Sequence, residues 1–187
     1  MEELKALAFQ DGEVPQAHEG AIPVKGREPE SKSSTSPPVS NPICHQVLAI
    51  SDGEGASAAV DQIFNWKNNI FPGGSTLAAY KGIKSQTAFG RLREALKTCR
   101  SFSEIGDGGK YRSTLTPENS PHVGNESLCY RITTLLNDGR IRDDQYVVVR
   151  VGSTIATFTA MDVDRRASFP SDLIDKQVER LTSAQHR

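Results

Sequence analysis

The sequence predicts an antiparallel α+β domain of about six strands with helices packed on them. Three patterns point to it. Leu128, Tyr130, Ile132 and Thr134 alternate with Cys129, Arg131 and Thr133, which is the period of a strand. Tyr146 to Val151 and Thr154 to Met161 flank Gly152-Ser153, and Gly in the first of two turn positions suits a type II′ hairpin. Ser85 to Thr98 switches period, placing Ala88, Leu92, Ala95, Leu96 and Cys99 on one stripe of an amphipathic helix. Strand runs separated by single helices and joined by hairpin turns argue against a doubly wound parallel sheet.

Taken in order, Leu4, Leu7 and Ala8 before Asp11-Gly12 suggest a short helix with a glycine stop, followed by an extended run through Ile22-Pro23-Val24. Residues 1–25 are expected to dock on the body as a helix and arm. From Gly26 to Pro42 the chain loses its apolar residues and gathers Ser, Pro, Glu and Lys. Such a stretch buries too little surface to offset its ordering entropy, so 26–42 is expected to be a flexible loop. Residues 43–187 form the body. Cys44 to Ile50 reads as a short helix. Ala58 to Lys67 and Thr76 to Lys81 read as strands around a Pro72-Gly73-Gly74 turn. Tyr111 to Leu115 reads as a further strand, and Asp138-Gly139 as a turn before the last hairpin. In that hairpin Val151 should face Thr154, Val149 Ala156 and Val147 Phe158, all on one core-facing side. Pro170 is placed to open a closing helix along Ile174, Val178 and Leu181.

Bulk properties remove several functions. With 22 Lys and Arg against 23 Asp and Glu in 187 residues, there is no global basic field to attract nucleic acid. No apolar run is long enough to span a bilayer, and the amino terminus lacks a leader pattern. Three cysteines without CxxC spacing fit neither a zinc framework nor a thioredoxin-type centre, leaving a structural pair and one spare thiol. His18, His45, His122 and His186 are scattered without HxxxH spacing, so no metal or other cofactor is expected. Gly106-Asp107-Gly108-Gly109-Lys110 lacks the GxxxxGK[ST] spacing of a phosphate loop and reads as a flexible turn. Asn125-Glu126-Ser127 matches a glycosylation acceptor, uninformative for a bacterial chain.

Several segments together resemble an actinobacterial sensor-domain family that includes streptomycete lipoproteins and the PknH-like extracellular domain of mycobacterial receptor kinases. They are Pro42-Ile43-Cys44, Thr76-Leu77-Ala78-Ala79-Tyr80, Leu92 through Cys99, Val147 through Phe158, and Leu173 through Val178. Their order and spacing carry the resemblance, since none is a catalytic signature. It implies a twisted antiparallel sheet with packed helices, an extracytoplasmic place on the cell surface, a lipid or membrane tether upstream, and no enzymatic activity. The kinase sensors use two disulfides, whereas three cysteines allow one, and the lipid-attachment Cys of a lipoprotein is missing.

Placement at helix ends and an oxidising compartment select Cys44 and Cys99 as the pair, a crosslink contributing about 4 kcal/mol by loop-closure entropy. Two buried reduced thiols are the alternative. Cys129 is expected to be packed and inert. Phe64, Trp66 and Tyr80 could line an apolar pocket, though core packing more often explains such aromatics. The leading functional reading is a monomeric, non-catalytic module that binds a small molecule or envelope component in a cleft between sheet and helix layer. The alternatives are a structural envelope protein, or a hydrolase or transferase built on Cys129 with His122, or on Asp143 and Asp144. Those two acids, in an Arg-rich turn, are otherwise read as a solvated loop.

Overall fold

A computed structural model describes residues 1–18, 22–27, 39–106 and 109–185. Central to it is the hairpin of β7 (Ile141–Val151) and β8 (Thr154–Val163), where Val151 pairs with Thr154, Val149 with Ala156 and Val147 with Phe158, the register that the turn predicts. Gly152 has φ 55° and Ser153 does not share the left-handed region, as a type II′ turn requires. Antiparallel neighbours extend the sheet on both sides. Toward one edge lie β3 (Gly73–Ala79), β2 (Ala58–Phe64) and β1 (Lys25–Arg27), and toward the other β6 (Glu126–Leu135), β5 (Gly109–Glu118) and β4 (Ser101–Gly106). The order β1-β2-β3-β8-β7-β6-β5-β4 makes eight strands among the described residues. The two beyond the expected six are β1 and β4, short edge strands of mostly polar composition.

Both faces of the sheet are covered. On one, Val147, Val149, Val151, Ala156 and Phe158 pack against α1 (Glu2–Leu7), α4 (Ser171–Gln185) and the arm through Phe9, Val14 and Ala17. On the other, Tyr130, Ile132, Val148 and Ile155 pack against α2 (Pro42–Ser51) and α3 (Lys84–Thr98). Both faces of β6 are buried, since Cys129 and Tyr130 face different cores. Asn41 caps α2, its side chain accepting from the Ile43 and Cys44 amides, and Pro42 occupies the first turn, where a missing N–H costs nothing. Cys44 and Cys99 are disulfide-bonded, Cα to Cα 5.1 Å, tying α2 to the end of α3.

Two local expectations change. Gly73 and Gly74 belong to β3, opposite Phe64 and Ile63, so the β2–β3 connection is residues 65–72. The reason is steric: a Cβ at Gly73 would lie 2.3 Å from Cζ2 of Trp66, whose indole occupies that space. Of the segment 26–42, Gly26 and Arg27 pair in β1, Val39 bridges to Glu104 and Pro42 starts α2, while 28–38 lie outside the described residues. Asp107 and Gly108 do too, between the paired Gly106 and Gly109 at the β4–β5 hairpin.

The arm is held by polar contacts that act like a strand edge. Gln62 on β2 accepts from the Phe9 amide at 2.9 Å and donates to the Phe9 carbonyl at 2.8 Å. Gln177 and Arg180 on α4 donate to the Leu7 and Ala8 carbonyls, and Arg180 also grips Glu13. Gln62→Ala leaves both Phe9 groups unanswered and should cost about 2 kcal/mol in denaturant unfolding, with faster amide exchange confined to the arm. Replacing Cys44 and Cys99 together by Ala should cost about 4 kcal/mol of unfolding free energy, and reduction of the native protein should lower its melting temperature correspondingly.

Candidate functional site

The α2–α3 layer covers only part of its sheet face. Beyond the end of α2 the remainder is an open groove of about 340 Å³. Its floor follows from strand alternation. Asp61 and Ile63 stand between the core residues Val60, Gln62 and Phe64, so they point to the groove side. Cross-strand pairing places Thr76 beside Asp61, Thr157 beside Thr76, and Tyr146 beside Thr159. Gly74 lies in the same row, opposite Thr159, and its missing side chain keeps the groove deep.

The charges in the groove are internally answered. Asp61 accepts from Arg27 at 2.5 and 2.9 Å and from the Thr76 hydroxyl at 2.7 Å, and Arg27 also donates to the Asp52 carbonyl. Asp144 is paired with Arg142 at 2.9 Å. Burial nonetheless lifts the Asp144 carboxyl to about 6, against the pull of Arg142 and with help from Glu104 and Asp143. Tyr146 stacks on Tyr130 at 4.8 Å, and burial holds both phenols well above their usual range, so each stays a neutral donor. Tyr130 shares a 2.8 Å hydrogen bond with Ser51. The hydroxyls of Tyr146 and Thr157 have no protein partner among the described residues. The groove therefore offers unmatched hydroxyls and balanced charge beside the apolar Ile63 and Met161.

Asp143 and Asp144 are not a solvated loop: both lie in β7 and are buried. As strand neighbours they project to opposite faces, which separates them as a proton-sharing pair. Asp143 belongs to a clamp under the other core, where buried Arg131 donates to Asp143, to Glu118 at 2.8 Å and to the Ala167 carbonyl at 3.1 Å. The Ala167 amide returns a bond to Asp143 at 2.8 Å, and Arg166 binds Glu118. Cys129, the free thiol, lies 3.8 Å from Glu118 and within 4.0 Å of Gln145, not beside His122. Burial and the Glu118 charge push it up to about 11, far from the thiolate a nucleophile needs.

The three aromatics predicted near a pocket divide between the cores. Phe64 and Trp66 lie 5.4 Å apart in the first, each edge-on to Phe169. Tyr80 sits in the second, its hydroxyl donating to the Glu54 carbonyl at 3.1 Å. The groove residues Asp61, Thr76, Tyr146 and Thr157 escape the sequence reading, which names Asp144 only as half of an acid pair. Their one signal is a polar residue at every second place in strands whose other face is apolar.

Comparison with solved structures matches this arrangement over nearly its full length. The extracellular domain of PknH from Mycobacterium tuberculosis superposes with TM-score 0.64 at 16% identity, covering 99% of this chain and 95% of that one. The chain has the PknH extracellular-domain fold. A STAR-related lipid transfer protein fragment from Xanthomonas axonopodis also matches, at 13% identity over 73% of this chain and 96% of its own, but a TM-score of 0.28 carries no argument. No family model and no curated protein matches the sequence. Relative to the PknH-like fold expected from the sequence, the helix pair, the long sheet and the bridge between α2 and α3 are all in place.

Because the folded Asp144 binds its proton more tightly than the unfolded chain does, its stabilising effect is complete below about pH 4 and fades as pH rises through 6. The wild type should therefore lose about 2 kcal/mol of unfolding free energy between pH 4 and 7 from this group, and Asp144→Asn should flatten that slope. Chemical denaturation across this range checks it.

Proposed function

We propose that this chain is an extracytoplasmic, non-catalytic, sensor-like binding module of a cell-surface lipoprotein that takes a small polar ligand or envelope component into the groove beyond α2. The observation that carries the reading is the groove itself: a 340 Å³ depression on a sheet face that helices otherwise cover, floored by side chains with unused hydrogen-bonding capacity. Full-length similarity to the fold of a receptor kinase's extracellular domain supports a sensor role. The Cys44–Cys99 bridge supports an oxidising compartment outside the cytoplasm. Answered charges at Asp61 and Asp144 favour a ligand without net charge, and Ile63 and Met161 give it an apolar side to lie on.

Chemistry argues in the same direction. A hydrolase needs a nucleophile or a base with a free lone pair near the substrate, whereas the groove's carboxylates are spent on arginines and the thiol is on the far face. The test is a thermal-shift and calorimetric screen of cell-wall fragments, lipids and metabolites. A ligand at a hundred times its dissociation constant should raise the melting temperature by about 5 to 10 °C. Thr159→Phe, which fills the groove from its margin, should abolish the shift. If nothing shifts the wild type and pull-downs from envelope extracts return nothing, the reading is wrong; if shifts survive Thr159→Phe, the groove is not where binding occurs.

A further inference from the structure

The cover made by α1, the arm and α4 ends part-way across its face of the sheet. From β6 only Cys129 enters that core, and from β4 and β5 nothing does. Strand pairing shows what is left bare. Leu135 lies opposite Ile141 on one side and Arg112 on the other, and Lys110, two residues before Arg112, lies opposite Ile105. Alternation puts all five on the same face as Cys129, because Phe102, Leu115, Ile132 and Val148, at the alternate places of the four strands, sit in the α2–α3 core. Ile105 is 74% exposed, Leu135 61% and Ile141 49%. Aliphatic side chains scattered singly over a surface mean little, but three on adjoining strands of one face form a patch.

The two cations of the patch are exposed, and neither has an ion pair or hydrogen bond among the described residues. The acids around it are engaged. Arg131 holds Asp143 and Glu118, Arg140 holds Asp138 at 2.8 Å, and Asp164 accepts from the Ile141 amide at 3.0 Å. Basic side chains set between aliphatic ones suit the boundary of an anionic bilayer, where the apolar groups enter the headgroup region and the stems of Lys110 and Arg112 carry their charges to the phosphates. A second copy fits less well, since a two-fold contact brings Lys110 and Arg112 toward their own counterparts. A folded acidic partner also fits less well. From Ile105 to Ile141 the patch spans roughly 14 Å across the strands and about 7 Å along them, a small part of the ~800 Å² that one side of a stable protein interface buries. We infer that the face of β4 to β7 left bare by the terminal cover is a docking surface for an anionic lipid bilayer, through Ile105, Leu135 and Ile141 together with Lys110 and Arg112. The inference goes beyond the groove and does not depend on what the groove binds.

The experiment sediments the full chain with vesicles of phosphatidylcholine, alone or with about one-third phosphatidylglycerol, at about 50 and 300 mM salt and lipid up to about 5 mM. Binding should require phosphatidylglycerol and fall several-fold at the higher salt. Lys110→Gln with Arg112→Gln should weaken it about thirtyfold, at about fivefold per cation. Leu135→Thr with Ile141→Thr, which keeps strand-forming side chains, should weaken it about tenfold. Ile83→Thr, which replaces an aliphatic side chain 77% exposed at the start of α3 on the other face, should leave it as in the wild type. All the replaced side chains are exposed, and circular dichroism with thermal melting checks each fold. The inference falls if anionic vesicles do not sediment the wild type, if either folded pair variant binds as the wild type does, or if binding is indifferent to phosphatidylglycerol. It falls equally if sedimentation velocity finds a dimer that Leu135→Thr with Ile141→Thr abolishes, which gives the patch to a second copy.

Discussion

Burial of the β7–β8 hairpin on both faces is the constraint from which the rest of the architecture follows. Val147, Val149, Ala156 and Phe158 demand one apolar cover, while Val148 and Ile155 on the reverse demand another. A hairpin of this kind cannot sit at an edge or face water. The chain meets the demand with two unrelated covers, one made of its two ends and one of its middle. Since α1, the arm and α4 come from opposite termini, the first core forms only when both ends meet, which Glu13 with Arg180 and Lys176 secures electrostatically. Those cations hold the Glu13 carboxyl down at about 2, so that closure persists to strongly acid pH.

The second cover is shorter than the sheet beneath it, and the groove is the difference. α2 and α3 are tied by Cys44 and Cys99 and cannot spread along the strands. What lies past them must tolerate water, and the residues there are Asp61, Thr76, Thr157, Thr159 and Tyr146 rather than valines. Under the first core the same sheet carries a buried arginine, an expensive choice because desolvating a guanidinium costs several kcal/mol before any pairing. Arg131 recovers that cost through Glu118, Asp143 and the Ala167 carbonyl, and in doing so pins residues 165–169, including the core ring of Phe169. Its role is to fix the path of the chain into α4.

How much of this could be read from residues alone depended on whether a local signal existed. The β7–β8 register was legible because Gly152-Ser153 sets it and a one-residue slip would expose Val147, Val149 and Phe158. The helix ending at Cys99 was legible from its period, and its partner cysteine from placement and compartment. β1 was not, since Lys25-Gly26-Arg27 carries no alternation and is held mainly by pairing to β2 and by Arg27 on Asp61. Asp143 and Asp144 read as loop because two charged neighbours beside Arg142 look solvated; buried arginine at Arg131, twelve residues upstream in the paired strand, reverses that. The groove was illegible for a related reason. Its residues share a surface only after β2, β3, β8 and β7 are laid side by side, in an order that no single segment encodes.

The β2–β3 connection shows how two cavities on opposite faces can depend on one contact. Pro72, Gly73 and Gly74 border the groove, Trp66, Asn68 and Asn69 border the cavity behind it, and Ala160 of β8 lines both. What holds the connection in place is the indole lying where a side chain at Gly73 would be, together with Asn69 donating to the Met161 carbonyl at 2.9 Å. Trp66 thus packs directly on the backbone of β3 at Gly73, and the residues that follow form part of the groove floor. Packing at this one contact therefore sets where the groove floor begins.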